Sequence, residues 1–233
     1  MSRSCLCMHR QDLDMVFCCQ YTFIMSIRST PFVSGEYYHV YNRGNSKQVI
    51  FHDDQDNHYF MKLLCIMNSG QHSKSRNTKK SSAHEDALVS IGAYCLMPNH
   101  FHILFRQEKD NGVTMFMQKI STAYVMYYNK KYKRTGGLFE GKFKSKYSGG
   151  DTYLKYLFSY IHLNPLKIIE PNWKKLKLQG KLYSFLLEYQ YSSFNEYIIN
   201  NFEIINKTAF PDYFHTNNEF IKEITSWISL EEN

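Results

Sequence analysis

No stretch of the 233-residue chain is long and apolar enough to be read as a membrane span. The run Met15-Val16-Phe17-Cys18-Cys19 is too short and too interrupted for a secretory signal, so a soluble, cytoplasmic protein is expected. Although there are six cysteines, none stand in the C-x-x-C spacing of a zinc module. Cys5, Cys7, Cys18 and Cys19 crowd into the first nineteen residues. Cys65 and Cys95 lie in apolar runs and read as reduced core residues. Residues 1–30 lack both periodicity and turn chemistry and are expected to be a disordered extension. Met25 near their end suggests that the first two dozen residues lie upstream of the functional reading frame. Ser69–Asp86 holds no apolar residue larger than Ala83 and reads as a mobile surface loop whose lysines serve solvation.

Charge is scarce by sign and by place. Between Gln118 and Tyr147 there is one acid against eight Lys or Arg, a local +7 that equals the net charge of the whole chain. From Glu188 onward two lysines face eight acids, a local −6. With a pI near 8.9 this balance permits a polyanionic partner, and it localises where that partner would sit.

What is present is enough for a core: 43% apolar and 16% aromatic residues. Glu36–Arg43 alternates Tyr, His, Val and Tyr and reads as a strand closed by Asn42-Arg43-Gly44-Asn45. Asp53 or Asp54 caps a helix to about Asn68, with Phe60, Leu63, Leu64 and Met67 inward. Strands follow over Ala87–Met97 and His100–Gln107, with Pro98-Asn99 as a tight hairpin turn. A helix opens near Thr114 and runs to about Tyr132, its apolar positions being Met115, Met117, Ile120, Val125 and Met126. Leu138–Tyr147 reads as a fourth strand. This order predicts an α+β, ferredoxin-like antiparallel sheet with helices on one face. An added helix follows, capped by Asp151 and stopped by Pro165, and then a small helical C-terminal extension. The expected domains are 1–30, 31–200 and 201–233, and the stretch around Phe220, Ile221, Ile224 and Trp227 is the expected terminal helix.

Two stretches carry chemistry. His100 and His102 lie two residues apart on a strand, so both imidazoles point to one face while Phe101 and Ile103 point to the other. That is half of a divalent-metal site, and equally the pattern of two hydrogen-bonded histidines. On the added helix, Leu154, Leu157, Phe158 and Ile161 form the apolar stripe, and Tyr160 and Asn164 lie one turn apart along its border.

Together with Tyr38–Gly44, Phe51–Asp54 with Asp56, Gly136–Ser145 and Tyr191–Phe194, these stretches resemble the single-tyrosine transposases of the His-hydrophobic-His (HUH) endonuclease superfamily. The resemblance is to the REP-associated branch in particular, and its pieces occur in order over residues 36 to about 197. It implies a nuclease that cuts and rejoins single-stranded DNA near hairpins through a 5′-phosphotyrosine. In that reading Tyr160 is the nucleophile, and His100, His102 and Asn164 hold Mg²⁺ or Mn²⁺. The enzyme would act as a monomer or homodimer. Tyr124, Tyr127 and Tyr128 are the competing nucleophiles. Cations interleaved with rings suit a single-strand groove, and Arg43, Lys130, Lys131, Lys133, Arg134, Lys142, Lys144 and Lys146 are the expected DNA-binding residues. The alternative is a binding protein of the same fold that has lost catalysis.

Overall fold

The computed structural model describes residues 31–68, 87–173 and 180–226. The expectations for residues 1–30, for the loop 69–86 and for Trp227 lie outside the described residues. Four strands, β1 (Tyr37–Arg43), β2 (Val89–Met97), β3 (His100–Gln107) and β4 (Lys144–Tyr147), form one antiparallel sheet in the order β2-β3-β1-β4. With α1 (Asp54–Ile66) between β1 and β2, and α2 (Gly112–Lys131) between β3 and β4, this is the ferredoxin-like α+β order read from the sequence.

Alternation along β3 decides what each face of the sheet does. Phe101, Ile103 and Phe105 are fully buried. The Phe101 ring lies 5.1 Å from Phe60 of α1 and the Phe105 ring 5.4 Å from Phe116 of α2. His100 and His102 take the opposite face. There α3 (Asp151–Leu163) covers β2 and β3, burying Leu154, Leu157, Phe158 and Ile161, each worth roughly 1.5–3 kcal/mol of transfer free energy. The added helix therefore makes a third layer.

Several sequence expectations are corrected. The fourth strand begins at Lys144 and not at Leu138. The preceding residues instead bridge the end of β1, with Asn45 N donating to Leu138 O at 2.8 Å and Gly44 pairing with Phe139. Gly141, at φ +147, turns the chain between bridge and strand. Asp151 is the first residue of α3 and not its cap; the cap is Gly150, and the Asp151 carboxylate accepts from the Tyr213 hydroxyl. The α-helix does end just before Pro165, as read, and Pro165 then opens a 3-10 turn over Asn164–Ile168, where a missing N–H costs nothing. On α2, Met115 and Met126 are exposed, while Tyr124 and Tyr128 take the core positions, their hydroxyls donating to the Ile50 and Val49 carbonyls.

Beyond α3 the chain forms α4 (Lys181–Glu188), α5 (Phe194–Ile199) and α6 (Asn217–Ser226). These wrap α3, with Phe158 against Phe214 and His162 against Phe220, ring centroids 5.4 and 5.2 Å apart. His162 is wholly buried, which lowers its pKa to about 3 and keeps it neutral. Its Nδ1–H donates to Phe158 O at 2.8 Å, so Nε2 accepts from the Ser193 hydroxyl at 2.7 Å. Ser193 in turn accepts from Tyr94 N of β2. Tyr191–Ser193 thereby fixes α3 to the sheet edge.

Asp56 anchors the other layer. Fully buried, it accepts from His52 N, Tyr127, Tyr132 and the Lys131 ammonium, and Lys131 also bonds Asp53. Desolvation would raise the Asp56 pKa, but the Lys131, tyrosine and backbone donors outweigh it, and the net displacement is downward. Lys131 is thus committed to joining α2 to α1. A Lys131→Met protein is expected to lose about 2–3 kcal/mol of stability, less than a wholly buried pair because Asp53 is half exposed. Thermal unfolding measures this. A normal melting temperature with a shallower salt dependence of DNA binding would return Lys131 to the DNA-facing group.

Candidate active site

Strand pairing assembles the floor of the site. Arg43 lies opposite His100 and Tyr41 opposite His102 in the β1–β3 pair, while Lys144 and Lys146 pair with Tyr41 and His39 on the other side of β1. Directly paired residues share a face, so all of these groups stand on the side covered by α3. Tyr41, Asn42, Arg43, His100, His102, Glu140, Lys144 and Tyr160 line a cavity of about 250 Å³.

Tyr160 reaches this cavity from α3 of the same chain. Its ring centroid lies 5.4 Å from His102 and 5.9 Å from His39, both edge-on. The hydroxyl has no hydrogen-bond partner among the described residues, whereas those of Tyr124, Tyr127 and Tyr128 are all engaged, beneath the opposite face of the sheet. The three α2 tyrosines are therefore out of contention. Tyr41, its ring 5.8 Å from His102, replaces them as the rival phenol.

The imidazoles are neutral. Burial, then the Arg43 and Lys167 charges, lowers His100 to about 4. Burial, then Lys146, lowers His39 to about 4, and His102 falls well below its usual value, chiefly through burial. Asn99 of the hairpin turn accepts from His100 Nδ1–H at 2.6 Å, which leaves Nε2 as the lone-pair atom. His102 Nδ1 meets His39 Nε2 at 2.9 Å, and the tautomer in which His102 donates frees its own Nε2 in the same way. Asn99 and His39 are the functional positions that sequence reasoning missed. The signal was there in the turn residue beside His100 and in a third histidine on a neighbouring strand, but pairing of His39 with His102 needs the sheet register.

A divalent ion would meet a suitable donor set. Two neutral imidazoles each offer Nε2, and among the described residues no group of three His, Cys, Asp or Glu is placed to hold a metal ion on its own. Asn164 Oδ1 is a buried acceptor with no hydrogen-bond partner among the described residues, while Nδ2 donates to Tyr160 O at 3.3 Å. Asn164 is not among the residues that line the cavity.

The basic residues divide. Arg43, with a buried Nε that lacks a partner among the described residues, and Lys144 line the cavity, and Lys146 stands beside His39. Lys142 is exposed on the loop before β4. Lys130 and Lys133 are exposed at the end of α2, away from the cavity lining, and Arg134 holds Gln48 and Gly137. Lys167 had no role in the sequence reading, yet the 3-10 turn after α3 brings its ammonium 4.9 Å over the Tyr160 ring.

The family model for IS200-like transposases matches residues 33–164, more than half of the chain. The chain belongs to the IS200-like transposase family. No curated protein matches it. Among solved structures, a REP-associated tyrosine transposase bound to a REP hairpin is similar at 13% identity and a TM-score of 0.49, over 80% of this chain and 96% of that one. No helix among the described residues of this IS200-like transposase is long and apolar enough to cross a membrane.

Proposed function

We propose that this IS200-like transposase nicks and rejoins single-stranded DNA near hairpins, with Tyr160 as the nucleophile. The observation that carries the reading is that an uncommitted phenol hydroxyl and two neutral imidazoles share one cavity with Arg43 and Lys144. The Tyr160 oxygen forms a bond to phosphorus as the bond to the 3′-oxygen breaks; the phenol proton leaves and the 3′-hydroxyl gains one. The phosphotyrosine conserves the energy of the broken diester, so the reverse attack rejoins a strand. Arg43 and Lys144 hold the phosphate, and two positive charges beside it stabilise the charge that develops in the transition state. His39 and Asn99 orient His102 and His100. Those two imidazoles would hold Mg²⁺ or Mn²⁺, which supplies Lewis-acid polarisation of a phosphate oxygen when bound.

The test uses a pool of 3′-labelled single-stranded oligonucleotides with a hairpin and a randomised flank, incubated with the protein and Mn²⁺. A labelled band that survives denaturation at the mass of protein plus DNA, and that a chelator prevents, is expected. Binding to the pool with no such band at any Mn²⁺ or Mg²⁺ concentration would leave the binding protein that has lost catalysis.

A further inference from the structure

Three tyrosines of α3 continue the cavity along one edge of the helix. Tyr153, Tyr156 and Tyr160 are spaced three and four residues apart, and consecutive ring centroids lie 6.0 and 5.9 Å apart. A lysine from another segment sits over each end. Lys146 of β4 places its ammonium 4.4 Å from the Tyr153 ring centroid, and Lys167 of the 3-10 turn sits over Tyr160. All three rings are only partly buried, and both lysines are exposed. Among the described residues no carboxylate pairs with either lysine.

The row packs against the core only from its border. Leu154, Leu157, Phe158 and Ile161 already supply the buried face of α3, and each is at most 2% exposed. Rings left at the border, flanked by unpaired cations and leading to the reaction cavity, match what a single strand requires: charge for phosphates and π-faces for bases of any identity. From Tyr153 to Tyr160 the helix advances about 10 Å, room for about three stacked nucleotides.

We propose that the Tyr153–Tyr156–Tyr160 face of α3, bounded by Lys146 and Lys167, is a track for the single strand entering or leaving the cavity. Lys146 and Lys167 hold backbone phosphates, and Tyr153 and Tyr156 stack bases. The track rests on the reading of Tyr160 as the attacking residue only in where it ends.

Affinity for fluorescein-labelled dT15 is measured by anisotropy without divalent ions, so that it does not depend on cleavage. The Tyr153→Ser/Tyr156→Ser protein is expected to bind at least about tenfold more weakly, and the Tyr153→Phe/Tyr156→Phe protein within about twofold of the unaltered chain. The Lys146→Met/Lys167→Met protein should lower the slope of log affinity against log salt by about 1.4. Unaltered dT15 affinity in a folded Ser pair, or a Phe pair as weak as the Ser pair, overturns the track. If the Ser pair does not fold, the lysine variant decides: an unchanged slope overturns it. Loss of dT15 binding in a protein that never forms adducts keeps the track and removes the nuclease. Adduct formation with an unaltered salt slope does the reverse.

Discussion

A Tyr160→Phe protein is expected to form no covalent DNA adduct at any time of incubation while binding single-stranded DNA within about twofold of the unaltered chain. The contrast follows from how the side chain is held. The Tyr160 side chain is held through its ring, which lies edge-on to His102 and His39, tilted against Tyr156 at 5.9 Å, and beneath the Lys167 ammonium. Phenylalanine keeps all of these. The oxygen it removes has no partner among the described residues, so no buried donor or acceptor is orphaned, and stability should change by less than about 0.5 kcal/mol. Only the nucleophile is lost. Because Tyr41 lines the same cavity, Tyr41→Phe is the control, and it should still form the adduct. Peptide mapping of the adduct formed by the unaltered protein decides between them. A DNA-linked peptide containing Tyr41, or an adduct that persists in Tyr160→Phe, would move the chemistry to the strand.

Periodicity made most of this arrangement readable in advance. The two-residue spacing of His100 and His102 placed both imidazoles on one face, and the stripe of α3 placed Tyr160 at its border, because each depends only on the local geometry of a strand or a helix. What the sequence could not supply were relations across elements. The interleaved rings and cations from Lys119 to Tyr147 suit a groove for a single strand and equally a core with a solvated face, and sequence alone does not assign each residue, because α2 and β4 lie on different parts of the fold. Tyr124 and Tyr128 therefore fall in the core beneath the sheet and Tyr147 on the edge strand, while Lys131 joins the Asp56 network, Lys144 the cavity wall, and Lys130, Lys133 and Lys142 stand exposed elsewhere. Lys167 has no periodicity to place it: the α-helix ends before Pro165, and only the 3-10 turn that follows brings the ammonium over the Tyr160 ring. Asn164 was expected to project beside Tyr160, yet the same turn buries it completely.

His39 illustrates the same limit with a measurable consequence. Its Nε2 lies 2.9 Å from His102 Nδ1, both rings are 7% exposed, and burial holds His39 neutral at any pH above about 4. A neutral His39 with its proton on Nδ1 accepts from His102 and confines the His102 lone pair to Nε2. Without that acceptor the His102 ring is free to adopt the other tautomer or to rotate. Partners of this kind typically change metal affinity or activity by about 10–100-fold. Replacing His39 with Leu is therefore expected to raise the Mn²⁺ concentration for half-maximal adduct formation by about that factor, and to weaken Mn²⁺ binding measured directly by electron paramagnetic resonance. His39→Gln offers an amide oxygen as acceptor and should recover much of the loss, which a merely space-filling role would not predict. Equal Mn²⁺ affinity in the Leu variant and the unaltered protein would reduce His39 to a packing residue. Equal impairment in the Leu and Gln variants, with normal melting temperatures, would show that the imidazole contributes something other than an acceptor.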